Sequence, residues 1–135
     1  MPNYSERKII LCIDDDYGML AYQRALLERR GYEVLTASSA RQGLRIVSIC
    51  TVAAVIVDYH LREVNGHTVA NEIKRLQPHV PIVMISSDDS TPLYELNVVD
   101  AFVSKNEAPS HLLPVITRIC GEGSTSFPES SRITA

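Results

Sequence analysis

One pattern recurs along this chain and leaves few folds open to it: a short continuous apolar run, then a stretch with apolar residues at helical spacing, then another apolar run. The runs are KIILCI at residues 8–13, YEVLTA at 32–37, AAVIVD at 53–58, PIVMISS at 81–87 and DAFVSK at 100–105. Each is of strand length, and the near-absence of polar alternation in the first, third and fourth marks strands buried on both faces. Between them, YGMLAYQRALLERRG puts Met19, Tyr22, Leu26 and Leu27 at helical spacing and closes on Gly31 as a C-terminal cap. Ser39 caps a second helix with Ala40, Leu44 and Val47 on one face, and NGHTVANEIKRLQP is a third, stopped by Pro78. The fourth is weak, because DDSTPLYELN contains Pro92 and offers barely two turns. The last runs through APSHLLPVITRIC, with Pro109 near its start and Pro114 within or near its first turns.

Such alternation predicts an α/β fold: a single doubly wound, five-stranded parallel sheet with helices on both faces and a short or irregular fourth helix. One domain should span residues 7–120, and the Gly-, Ser- and Pro-rich residues 121–135 should form a mobile C-terminal tail.

In such folds ligands gather beyond the carboxyl ends of the strands, and that is where the chemically capable residues fall. The first strand ends on Asp14 and Asp15, the third on Asp58, the fourth on Ser86 and the fifth on Lys105. Neighbouring carboxylates repel, so the cluster makes sense around a hard divalent cation; Mg2+ takes oxygen ligands and keeps several waters, so two or three carboxylates suffice. Asp16, by contrast, suits a cap on the first helix. His60, His67, His79 and His111 have no metal-site spacing.

The bulk properties exclude other classes. At 135 residues, 45% apolar and 21% charged, the chain reads as an ordinary globular domain rather than a disordered or membrane-spanning one, and a cytoplasmic location is expected. A net charge of −3 and a pI near 5.8 provide no basic stripe, so direct nucleic-acid binding is not expected, and no apolar run resembles a transmembrane span, so membrane insertion is not expected either. The three cysteines, Cys12, Cys50 and Cys120, are widely spaced and read as reduced thiols.

Taken in order, these segments resemble the response-regulator receiver domain, the CheY-like, flavodoxin-like phosphoacceptor of bacterial two-component signalling. IILCIDDD resembles its first strand and acidic pair; VIVDYHLREVNG resembles its phosphorylation strand and loop, with Gly66 eight residues after Asp58. PIVMIS matches the fourth strand with its hydroxyl residue, and AFVSK the fifth, with Phe102 three residues before Lys105. The resemblance implies that Asp58 accepts a phosphoryl group from a sensor histidine kinase or a phosphotransfer protein. It further implies Mg2+ on Asp14, Asp15, Asp58 and the backbone carbonyl of His60. Lys105 would pair with Asp58 and then with a phosphoryl oxygen, while Ser86 and Phe102 would switch a surface read by a downstream protein target. His60 and Asp88 occupy the positions that tune phosphoryl lifetime. The chain would be a stand-alone receiver, a signalling phosphoacceptor rather than an enzyme.

There are departures from the family pattern. Asn106 follows Lys105 where proline is usual, so a trans peptide is expected there. Phe102 replaces the commoner Tyr, Arg62 stands where Pro is common, and the interval from Ser86 to Lys105 is short. Two rival readings follow: a phosphorylation-independent receiver-like interaction module, and a haloacid-dehalogenase-like phosphatase. The phosphatase shares an Asp nucleophile and Mg2+, but Gly18 replaces the residue expected after its motif and no acidic pair follows Lys105.

Overall fold

The computed structural model describes residues 7–87 and 98–121. Five strands, β1 (Ile9–Ile13), β2 (Glu33–Ala37), β3 (Ala54–Asp58), β4 (Ile82–Ser86) and β5 (Ala101–Ser104), form one parallel sheet in the order β2-β1-β3-β4-β5. The helices are α1 (Tyr17–Glu28), α2 (Ala40–Ile49), α3 (Gly66–Leu76) and α4 (Ala108–Cys120). The expected weak helix around Pro92, the position Asp88 and the tail beyond Gly121 lie outside the described residues. None of the described helices is long and apolar enough to cross a membrane.

The apolar strands separate their side chains by parity. Leu11, Ile13, Val55, Val57, Ile82 and Met84 point to one face, where they pack with Val47 of α2 and Val69, Ala70 and Ile73 of α3. Ile10, Cys12, Ala54, Ile56, Val83, Ile85 and Val103 point to the other, against Leu20 and Leu27 of α1 and Leu112 and Ile116 of α4. Both faces are thus covered, which is why these strands read as continuous apolar runs rather than alternating ones.

Helix boundaries follow local chemistry. The Asp16 carboxylate accepts from the N–H groups of Gly18 and Met19 at 2.9 and 3.2 Å, Ser39 Oγ accepts from Gln42, and Asn65 Oδ1 accepts from Thr68 at 2.9 Å. Two expectations for α1 need correction. Its buried residues are Leu20, Gln23 and Leu27, while Tyr22 is 38% exposed. Apolar residues wrap around much of this helix, so spacing alone did not select the face that docks. The helix also ends before Gly31: Arg29 is its C-cap, and Gly31, at φ 92°, turns the chain into β2. On α2, Gly43 joins Ala40 and Val47 as buried and Leu44 is only half-buried. Pro114 lies inside α4.

The turn after β3 is held unusually close to the sheet. His60 bridges to Asn65, and the Gly66 N–H donates to the Tyr59 carbonyl at 2.7 Å. A Cβ on Gly66 would lie 2.6 Å from the Asp58 carbonyl oxygen and 2.8 Å from Tyr59 Cα, both backbone atoms that cannot rotate away. The glycine is therefore what lets α3 start directly beneath Asp58. Gly66→Ala is expected to destabilise the fold by about 1–3 kcal/mol, the usual range for forcing atoms into a filled site. Urea unfolding measures this; a wild-type midpoint would show that the turn relaxes freely.

Candidate functional site

Register carries the acids to one place. Ile13 pairs with Val57, which sets Asp14 beside Asp58, and Ser86 pairs with Ser104, which sets Lys105 just past the end of the same edge. Asp58 shares its strand face with Ala54 and Ile56, and Asp14 continues the parity of Ile10 and Cys12. Asp14, Asp15 and Asp58 each offer a carboxylate oxygen, and these lie within 4.8 Å of one another. Asp14 and Asp58 are only 1% and 3% exposed, whereas Asp15 sits at the mouth with its side chain 23% exposed.

Two carboxylates buried this closely need compensation. Lys105 Nζ supplies it from between them, 3.4 Å from Asp58 Oδ2 and 3.6 Å from Asp14 Oδ2. The Asp58 contact falls within hydrogen-bond range; the Asp14 contact is an ion pair only. The other oxygens are held by the backbone: Asp14 Oδ1 accepts from the Asp16 N–H at 2.9 Å and Asp58 Oδ1 from the His60 N–H at 3.1 Å. Asp14 Oδ2 is left buried without a hydrogen-bond donor among the described residues. Burial, with the adjacent Asp58 charge, pushes the Asp14 carboxyl up to about 6 despite the Asp16 N–H and Lys105. Burial works against the charge on Lys105, but Asp58 and Asp14 together hold its ammonium above the ordinary lysine range.

The structure therefore brings together Asp14, Asp15, Asp58 and Lys105. Ser86 is fully buried at the end of β4, where its carbonyl accepts from the Lys105 N–H at 2.8 Å. Phe102 is half-buried, packed against the core on the α2 and α3 side. His60 is exposed, its ring edge-on to Tyr59 with centroids 4.9 Å apart. The peptide before Asn106 is trans, as expected. Two features were not foreseen. Lys105 serves Asp14 as well as Asp58, and Arg62, noted in the sequence only as a departure, places Nε 3.8 Å from Asp15 Oδ2.

These residues fit a hard divalent cation. Two oxygens on one Mg2+ at about 2.1 Å can be no more than about 4.2 Å apart, so the observed cluster needs only slight contraction. Asp14 Oδ2, which has an ion-pair contact to Lys105 but no hydrogen-bond donor among the described residues, is an oxygen that a cation could ligate. An open cavity of 240 Å³ beside Asp15, reaching Tyr17, Ser39 and Arg62, has room for several waters at about 30 Å³ each. A larger cavity, 620 Å³, lies between the ends of α2 and α3 at the opposite edge of the sheet and contains none of these acids.

The raised Asp14 pKa gives a signed stability effect. Folding favours the protonated form, so without metal this group's contribution is fully present below the ordinary carboxylate pKa and is lost as pH rises through about 6. In EDTA at pH 7.5, Asp14→Asn is expected to melt several degrees above wild type, with the gap closing towards pH 4. A variant melting below wild type at neutral pH would contradict the repulsion.

Comparison with known proteins bears on the family and the fold. A family model described as the response regulator receiver domain matches residues 10–117. The Escherichia coli K12 transcriptional regulatory protein GlrR is 35% identical over 83 residues; the alignment covers 62% of this chain and 19% of that protein's length. A CheY-like receiver domain protein from Methanospirillum hungatei superposes with TM-score 0.79 at 28% identity, covering 84% of this chain and 93% of the other. The Thermotoga maritima response regulator TrrA, solved with Mg2+ and BeF, has the same fold at TM-score 0.78 and 22% identity, covering 83% and 98% of the two chains.

Proposed function

The chain belongs to the response-regulator receiver family, and on that premise we propose that it accepts a phosphoryl group onto Asp58 from a sensor histidine kinase or a phosphotransfer protein in the cytoplasm. The observation that carries this reading is the setting of Asp58: a buried carboxylate aimed by the His60 N–H and paired with Lys105, next to two further acids. A carboxylate oxygen attacks phosphorus, the P–N bond to the donor imidazole breaks, and its electron pair stays on the imidazole nitrogen, which takes up a proton. Catalysis is then mostly positioning and charge.

Asp14, Asp15, Asp58 and the backbone carbonyl of His60 are the ligands proposed for Mg2+. Bound there, it supplies positive charge to the phosphoryl oxygens. Lys105 holds Asp58 in the resting state and transfers its ammonium to a phosphoryl oxygen afterwards, a role suited to a compact point charge. The Ser86 hydroxyl donates to a second phosphoryl oxygen, and Phe102 shifts its packing as that end of the sheet rearranges. His60, and Asp88 beyond the described residues, are the residues proposed to tune the lifetime of the acyl phosphate. The response is read by a downstream protein target, since the acidic chain has no basic stripe for nucleic acid.

Intact-mass spectrometry after incubation with Mg2+ and acetyl phosphate or phosphoramidate tests this reading. A single phosphoryl adduct is expected in wild type, dependent on Mg2+ and absent from Asp58→Asn. No adduct on folded protein with either donor would favour a phosphorylation-independent interaction module.

A further inference from the structure

Arg62 lies in the β3–α3 turn, four residues after Asp58. Its side chain is 78% exposed, yet it reaches back over the mouth of the acid cluster to within 3.8 Å of Asp15. Among the described residues Asp15 is the only acid within ion-pair range of it. The site therefore has two cations with different duties. Lys105, with 22% of its side chain exposed, sits inside and serves Asp58 and Asp14. Asp15 is left to Arg62.

This division matters because Asp15 belongs to the same carboxylate triad that fits a divalent cation. Three carboxylates against one ammonium leave two net negative charges at the strand ends, and Arg62 offers a solvent-screened positive charge to one of them from outside. The backbone beneath it is tied down by the His60–Asn65 bridge and the Gly66 N–H to Tyr59 bond, so the Arg62 main chain stays beside the site. Arg62 and Asp15 both line the adjoining 240 Å³ of open space.

We propose that Arg62 is an internal competitor for the divalent cation: it occupies Asp15 in the metal-free protein and weakens Mg2+ binding, setting the Mg2+ range over which the receiver is loaded. The proposal rests on the Mg2+ site described above. It makes Arg62 a positioning residue acting through Asp15. Because the guanidinium is exposed, its effect is moderate and screened by salt.

Isothermal titration of Mg2+ into the full chain tests it, comparing wild type, Arg62→Gln and Arg30→Gln. The last makes the same change in net charge in the exposed turn after α1, away from the acids. Arg62→Gln is expected to lower the Mg2+ dissociation constant about threefold or more at ~0.1 M salt, with the gap narrowing at ~1 M. Arg30→Gln should bind as wild type does. Equal affinities for wild type and Arg62→Gln would overturn the competition while leaving the metal site standing, and so would equal tightening by Arg30→Gln, which would mark a bulk charge effect. No binding by any of the three would overturn the metal site and the competition together.

Discussion

Asp14 and Asp58 are buried side by side with a single ammonium group between them, and the rest of the site is arranged around that imbalance. Two carboxylates in a low-dielectric edge cannot both be satisfied by one lysine. The remainder appears as an Asp14 oxygen that has no hydrogen-bond donor among the described residues and a carboxyl that holds its proton more tightly than a free one. An arrangement that costs stability without ligand is one that a cation can relieve, so the metal binding proposed for the site would be coupled to the energetics of the fold.

The imbalance exists because of how the sheet is built. Parallel strands with aligned ends deliver residues from distant parts of the sequence to one edge, and their parity sends alternate side chains to opposite faces. Gly66 then brings the chain back so tightly under Asp58 that a methyl group would meet backbone. At the other end of the sheet, Lys8 and Tyr32 hold the carbonyls of Cys120 and Gly121, fixing the last turn of α4 far from the acids. The apolar core and helix caps thus make a rigid frame in which the unbalanced charge is confined to one edge.

Much of this was legible in the sequence, for physical reasons. Strands covered on both faces leave continuous apolar runs, so KIILCI, AAVIVD and PIVMIS were readable, and the doubly wound fold then placed Asp14, Asp15, Asp58 and Lys105 together. The caps Asp16, Ser39 and Asn65 lie where short polar side chains precede helical spacing; the first two were read as such. The buried face of α1 was not legible, because Tyr22 falls at helical spacing with its apolar neighbours, while the polar Gln23, which is buried, carries no apolar signal. Nor was the pairing of Arg62 with Asp15, which depends on the path of a loop rather than on residue periodicity. The likeness of Lys105 to a partner for Asp58 concealed its second partner, Asp14, whose proximity depends on the register of β1 with β3.

Thermal melting across a Mg2+ series at constant ionic strength decides whether this edge of the sheet is a strained acid cluster matched to a divalent cation. The midpoint is expected to climb with the logarithm of Mg2+ concentration, reflecting about 1.4 kcal/mol of added stability for each tenfold rise above the dissociation constant. A midpoint that stays flat through millimolar Mg2+ would contradict it.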